Sequence, residues 1–366
     1  MQETWLIAGG GTGGHLYPGI AIAEELKTRR PDARIVFAGR GLPLERAIVE
    51  RHGYALVAIR SGGVVGRSLF GRLAGIGNAL RGFFEAGKVI DILKPQAVIG
   101  VGGYASFPMV LAAQARGVPT LIQDQNAVPG LSNRLLGRAA RAIALTYDET
   151  RRFFAGRGTV TGNPIRAEFH RADREQARRR RASGEPRRHL FVFGGSQGSR
   201  ALNDAVLQAL PHLRERRDRL RIVHGTGPAD ADRMRAAYAD HGLDATVLPY
   251  LDDIMGAYEE ADLVVSRSGA STVSELAACG KAAILVPLPT SAHDHQKKNA
   301  EAASRAGAAV LLEQRDLTGA TLAGEIVRLL DDPGRLEAME RAAAGLARPD
   351  AAARIVELVL GLEGRP

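Results

Sequence analysis

The chain has 366 residues, with 49 Lys and Arg against 40 Asp and Glu for a net charge of +9, and 45% of it is hydrophobic. At about 100–200 residues per domain this length excludes a single small module, and the composition excludes a chain disordered throughout. One cysteine, Cys279, excludes a disulfide framework and any Cys-based zinc site; no uncharged apolar run is long enough to span a bilayer, and the start MQETWLIAGGG lacks the features of a secretion signal, so a cytosolic chain is expected.

Short apolar runs at Trp5–Ala8, Arg34–Ala38, Leu56–Ile59, Ala97–Val101, Thr120–Gln123, Arg141–Leu145 and Thr159–Thr161 alternate with amphipathic stretches of helical length. Continuous apolar character predicts parallel strands covered on both faces, an α/β class. The rhythm restarts at Leu190–Phe193 and continues through Leu220–His224, Thr246–Pro249, Leu263–Ser266, Ala283–Val286 and Ala308–Leu312. Between the halves, Gly162-Asn163-Pro164 makes a turn, and Arg178–Arg181 with Arg187 and Arg188 reads as a solvated basic connector, which places the joint at residues 163–188. The tail after Pro349 carries Ile355, Leu358, Val359 and Leu362 at helical spacing, and the sequence leaves its docking partner open.

Glycine is abundant, 43 of 366 residues, about 12% against roughly 7% ordinarily. It concentrates at strand ends. Gly9-Gly10-Gly11-Thr12-Gly13-Gly14 follows the first strand and leads through His15 into a helix; Gly102-Gly103-Tyr104-Ala105-Ser106 follows the fourth; Gly194-Gly195-Ser196-Gln197-Gly198 opens the second half. Such turns let backbone approach a ligand, and the helix start favours an anion. Three of them at the carboxyl ends of parallel strands in two domains predict a ligand cleft. Gly9, Gly11 and Gly14 satisfy G-x-G-x-x-G, yet the second strand ends in Gly39-Arg40 where a dinucleotide site wants an acidic residue; an NADP enzyme with Arg40 on the 2′-phosphate is the runner-up.

Further on, Ser268-Gly269-Ala270-Ser271-Thr272 opens a helix with Glu275 expected in its first turn, either as a carboxylate complementing the dipole or as an acceptor for both ribose hydroxyls. Cys279 reads as a small buried hydrophobe. His293-x-His295 with Asp294 has metal-binding chemistry but no further ligand pair nearby, so polar contacts to a sugar from Gln296, with Asn299 ordering the loop, are the more economical reading.

Taken in order, GGGTGGHLYPGIAIAEEL, GGYASFP, QDQNAVPGLSNR, TGNPIR, FGGSQGSRALN, SRSGASTVSELAACGKAAILVPLP and DHQKKNA resemble the MurG family over nearly the whole chain. The resemblance implies a glycosyltransferase-B fold of two Rossmann-like α/β domains facing across a cleft. Residues 1–163 would be the acceptor and membrane-facing domain, 164–348 the UDP-GlcNAc-binding domain, and 349–366 a terminal helix with the first domain among its docking options. The implied reaction is inverting transfer of GlcNAc from UDP-GlcNAc to the 4-hydroxyl of MurNAc in lipid I, giving lipid II for peptidoglycan synthesis, with neither cofactor nor metal. A UDP-sugar epimerase of the same fold is a further alternative.

By the same resemblance Thr12, Gly13 and Gly14 lie near the donor sugar and acceptor phosphates, Asn126 and Arg166 bind donor, Ser196 contacts the diphosphate, and Leu251 holds uracil through its backbone. Ala270, Ser271, Thr272, Val273, Ser274 and Glu275 form the nucleotide segment, with Glu275 on the ribose, and Gln296 takes the GlcNAc hydroxyls. The family's usual His-Glu-Gln-Asn is Gln123-Asp124-Gln125-Asn126 here, so roles of the first two positions do not carry over directly. His15 is the first candidate for the base, because an imidazole is neutral near pH 7; capping the turn or binding acceptor phosphate is its plainer reading. Asp124 is the second candidate.

The positive charge permits an anionic partner, and with aromatics at 5% nucleic acid is not expected. Lipid I sits in a membrane, so the expected location is the cytoplasmic face of the cell membrane, held peripherally on an anionic surface and in reach of other cell-wall synthesis proteins. Residues 64–88, mixing Val64, Val65, Leu69, Phe70, Leu80 and Phe84 with Arg67, Arg72, Arg81 and Lys88, are the expected membrane-facing patch.

Overall fold

The computed structural model describes residues 3–11, 13–61, 69–103, 105–195, 197–251, 253–291 and 294–362, with 69–76 as backbone alone. Thr12, Val64, Val65, Arg67, Tyr104, Ser196 and His293 therefore lie outside the described residues, as do the side chains of Leu69, Phe70 and Arg72. The chain divides into two compact units: unit 1 is Met1–Arg166 with Arg348–Pro366, and unit 2 is Ala167–Ala347.

Unit 1 holds a seven-stranded sheet of β1 (Thr4–Gly9), β2 (Arg34–Gly39), β3 (Ala55–Ala58), β4 (Ala97–Gly102), β5 (Thr120–Asp124), β6 (Ala142–Leu145) and β7 (Thr159–Val160), in the order β3-β2-β1-β4-β5-β6-β7. Every pairing is parallel. The strands are apolar at consecutive positions because successive side chains point to opposite faces and both faces are covered. Trp5, Ile7, Phe37 and Ile99 pack on one side with Leu16 and Ile20 of helix Gly13–Arg29 and with Ile355, Val356 and Val359 of helix Ala351–Leu360. Leu6, Ala8, Val98 and Ile122 pack on the other with Ala86 and Ile90 of helix Leu69–Leu93 and Met109 and Val110 of helix Ser106–Ala115. The terminal helix thus completes the core of unit 1, not of the unit it follows in sequence.

Unit 2 holds β8 (Arg188–Phe193), β9 (Leu220–Gly225), β10 (Asp244–Leu248), β11 (Leu263–Ser266), β12 (Ala283–Leu285) and β13 (Ala309–Leu311), again all parallel, in the order β10-β9-β8-β11-β12-β13. Its core joins Leu190, Val192 and Ile284 to Leu202, Val206 and Leu210 of helix Arg200–Leu213 and to Leu322, Ile326 and Leu329 of helix Gly319–Leu330.

The arginine run departs from the solvated connector expected of it. Arg181, 6% exposed, bridges Asp262 at 2.7 Å and Glu340 at 2.9 Å, both buried; Arg180 pairs with Asp262 and Arg178 with Glu340. Helix Gln176–Ala182 is therefore tied into unit 2, leaving the joint short. The sequence hides this because the two carboxylates stand about 80 and 160 positions downstream.

In both sheets the strand order reverses once, between β1 and β4 and between β8 and β11. The crevice outside the carboxyl ends of strands at such a reversal is where open α/β sheets take ligands.

Candidate active site

At the unit 1 reversal the turns after β1 and β4 meet backbone to backbone. A Cβ on Gly103 would fall 2.2 Å from the Gly10 carbonyl oxygen, so only glycine, here at φ +82°, permits the approach. His15 is the third residue of the helix beside them, and its ring rests on Gly102, where a Cβ would stand 2.8 Å from Nδ1. Gly13 and Gly14 form the first residues of the same helix. Gln125 donates from Nε2 to the Val101 carbonyl at 3.0 Å, drawing the loop after β5 to this edge. Arg166 places its guanidinium over the Tyr17 ring, 4.6 Å from the centroid, two residues beyond His15. His15, Gly13, Gly14, Asn126 and Arg166 are thus all carried by segments around this edge of unit 1.

Asp124 is 2% exposed and fully engaged. Oδ1 accepts the Asn126 N–H at 3.0 Å and Oδ2 accepts Asn133 Nδ2 at 2.8 Å. Burial pushes its carboxyl up to about 6, against the lowering effect of the Asn133 hydrogen bond. Gln123, also buried, donates to Asn163 Oδ1 at 3.3 Å. The carboxylate and the amide shape the Asn126 loop from beneath.

At the unit 2 reversal, the glycine turn after β8 packs against the turn after β9: a Cβ on Gly198 would lie 2.0 Å from the Thr226 carbonyl, and one on Gly227 2.4 Å from that of Gln197. Leu251 closes on Gly225, whose Cβ would meet Leu251 Cδ1 at 2.6 Å. Asn203 donates from Nδ2 to Thr226 O (2.9 Å) and Asp230 Oδ2 (2.8 Å), so its Oδ1 accepts from His224 Nε2 at 3.2 Å. His224 is then the Nε2–H tautomer, with Nδ1 accepting from the Tyr238 hydroxyl at 2.9 Å, and burial pulls its pKa down to about 3.

After β11, Arg267-Ser268-Gly269 leads into helix Ala270–Cys279, which carries Ser271, Thr272, Val273 and Ser274 in its first turns. Glu275 is the sixth residue of that helix, not in the first turn as expected, and it is 8% exposed; its Oε2 accepts from the Tyr258 hydroxyl at 3.2 Å. Gln296, in the first turn of helix His295–Arg305, accepts the Leu288 N–H on Oε1 at 3.0 Å, while Ser268 Oγ donates to its carbonyl at 2.8 Å and Asn299 holds Ser268 O at 3.3 Å. Among the described residues no cluster of three or more His, Cys, Asp or Glu forms a metal site.

Sequence reasoning missed Arg267. It is 8% exposed, and its guanidinium donates to Ser199 Oγ (3.1 and 2.8 Å), to the carbonyls of Val286 and Pro287 (3.1 Å each) and to Gln314 Oε1 (2.8 Å). All are neutral oxygens, and among the described residues it meets no carboxylate. Burial lowers its pKa, and a buried cation without a counter-ion is an electrostatic source for an anion nearby. The signal in the sequence was a lone Arg amid the small residues of SRSGAS.

Residues 5–145 match the model of the glycosyltransferase family 28 N-terminal domain and residues 189–355 that of the glycosyltransferase family 28 C-terminal domain. The chain is 45% identical over 361 residues to a UDP-N-acetylglucosamine–N-acetylmuramyl-(pentapeptide) pyrophosphoryl-undecaprenol N-acetylglucosamine transferase of Anaeromyxobacter sp. (strain K), covering 98% of this chain and 93% of that protein. It is 42% identical to the transferase of the same name from Thermodesulfovibrio yellowstonii, covering 98% of each. The crystal structure of Acinetobacter baumannii MurG superposes with a TM-score of 0.80 at 30% identity, over 99% of this chain and 100% of that one. With both halves matched by family 28 domains and full-length relatives of this similarity, the chain belongs to the MurG family of glycosyltransferases.

Proposed function

We propose that this chain transfers GlcNAc from UDP-GlcNAc to the 4-hydroxyl of MurNAc in lipid I, giving lipid II, with the donor nucleotide taken up by unit 2 and the acceptor by unit 1. The observation that carries the division of roles is the unit 2 reversal. There a glycine turn, the start of helix Ala270–Cys279, a buried carboxylate at Glu275 and the buried cation Arg267 converge, which suits a diphosphate joined to a ribose. Glu275 accepts the ribose hydroxyls, Ser196 and the adjoining amides take the diphosphate, Leu251 meets the uracil, and Gln296 takes the sugar hydroxyls.

The donor is α-linked and the product β-1,4, so one displacement inverts the anomeric carbon. The MurNAc 4-oxygen forms the new bond to C1, the bond from C1 to the diphosphate oxygen breaks, and its electron pair leaves with UDP. Arg267 and the amides of the turn stabilise the negative charge that develops there. His15 takes the proton from the 4-hydroxyl, and Gly13, Gly14, Asn126 and Arg166 orient the reactants. Asp124, enclosed and hydrogen-bonded, supports the Asn126 loop. An NADP enzyme finds less support, because both halves of the chain match glycosyltransferase family 28 domains and its full-length relatives are N-acetylglucosamine transferases.

The protein reaches its lipid acceptor by adsorption. Among the described residues no helix is long and apolar enough to cross a membrane. On helix Leu69–Leu93, however, Leu80 (58% exposed), Phe84 (66%) and Ile92 (78%) stand in solvent with Arg81 and Lys88 beside them. Fully buried apolar side chains contribute about 1.5–3 kcal/mol each and basic ones about 1 kcal/mol near an anionic leaflet, enough for reversible binding.

Incubation with radiolabelled UDP-GlcNAc and a short-chain lipid I analogue tests the reading: label enters the lipid fraction. An epimerase leaves it in water-soluble sugar, and an NADP enzyme is stabilised by NADP and not by UDP. His15→Ala is expected to lower turnover by about 10²–10⁴ with UDP affinity unchanged; unaltered turnover removes His15 from the role of base.

A further inference from the structure

Glu45 is the third residue of helix Pro43–Arg51 and is fully buried. Its Oε2 accepts the Leu42 N–H at 3.2 Å, the ordinary reach of a Glu back to the residue before its helix. Its Oε1 does something a helix cap does not need. It accepts the N–H of Gly11 at 2.7 Å, 34 positions earlier, in the turn between β1 and helix Gly13–Arg29.

Glycines make room for this side chain. A Cβ on Gly10 would stand 2.5 Å from Oε1, and one on Gly39, the last residue of β2, 2.9 Å from Oε2. On its other side the same turn abuts Gly103, and His15 lies on Gly102. The carboxylate meets no cation among the described residues, so its burial is compensated by these two backbone donors.

We infer that Glu45 is a positioning residue of the transfer reaction: it fixes Gly10-Gly11, and through them the helix start bearing His15, in the form that receives the acceptor. The Gly11 N–H is thereby occupied from within and is not offered to a ligand. The inference rests on the acceptor role proposed for unit 1.

Glu45→Gln in the full chain isolates the tether. A Gln at this position still caps a helix, but its one acceptor oxygen serves Leu42 or Gly11, not both. The expected result is a rise of about tenfold in KM for the lipid I analogue, the size of one lost hydrogen bond to a charged group, with KM for UDP-GlcNAc unchanged. Gly39→Ala, whose Cβ would stand 2.9 Å from Oε2, pushes the whole carboxylate off its seat, Oε1 with it, while keeping the charge, and is expected to act in the same direction. Trp5, the single tryptophan, lies buried in β1, so its emission reports the folding of unit 1. If only the KM for UDP-GlcNAc rises, or nothing changes, the inference is overturned. It is also overturned if both variants expose Trp5, since Glu45 then only holds the fold. A wild-type chain that moves no label into lipid sinks the functional reading first, and separately.

Discussion

Asp124 is where residue-scale chemistry separates two roles. Its carboxyl titrates near 6 in the folded chain, above the value of about 3.9 for an unfolded Asp. Between those values the folded state binds the extra proton, so this group's contribution to stability falls as pH rises through the window, and the cost is complete above it. At about 1.4 kcal/mol per unit, that cost is on the order of 2–3 kcal/mol at pH 7.5. Asp124→Asn keeps an acceptor for the Asn126 N–H, and Asn133, by turning its amide, accepts from the new NH2. The variant is expected to melt higher than wild type at pH 7.5 and to match it near pH 4, by calorimetry across pH. It is also expected to keep most of its turnover; a loss of about 10²–10⁴ would make Asp124 the base instead. His224 runs the other way: with its folded pKa near 3, its contribution is present above about 6.5 and is lost as pH falls toward 3.

Elements carry the membrane prediction. Phe84 is exposed on helix Leu69–Leu93, so Phe84→Asp is expected to leave stability within about 0.5 kcal/mol while reducing co-sedimentation with anionic vesicles. Turnover on a water-soluble acceptor analogue stays as in wild type, and unchanged sedimentation would remove this face from the contact. Elements were also the most legible level of the sequence. Each predicted strand is present, with ends displaced by a residue or two, as where Leu56–Ile59 is Ala55–Ala58; central strands such as β1 and β4 are buried at every residue and so write themselves as continuous apolar runs. The glycine turns were legible for the same local reason. What was not legible is what arrives from far along the chain: Asp262 and Glu340 to the arginine run, Ser199 and Gln314 to Arg267, Glu45 to Gly11. A pattern read along the chain shows donors and acceptors but not which of them meet.

At the scale of the whole molecule, two sheets with separate cores predict two unfolding events. Calorimetry with UDP at about 100 times its Kd should raise one transition, by about 2.7 kcal/mol of stabilisation, and leave the other in place. A single transition that moves as a whole would mean the units do not unfold separately. The units also differ in continuity: unit 2 is one stretch, Ala167–Ala347, whereas unit 1 takes helix Ala351–Leu360 from beyond it. During synthesis this inverts the order of completion. The later half is whole as soon as it has emerged, while one face of the earlier half, around Trp5 and Ile20, waits for Ile355 and Val359 to leave the ribosome, on the order of ten seconds or more. Translation cut short at residue 347 would therefore yield a finished unit 2 attached to an unfinished unit 1, a species that exposes apolar sheet and invites capture by chaperones and proteases.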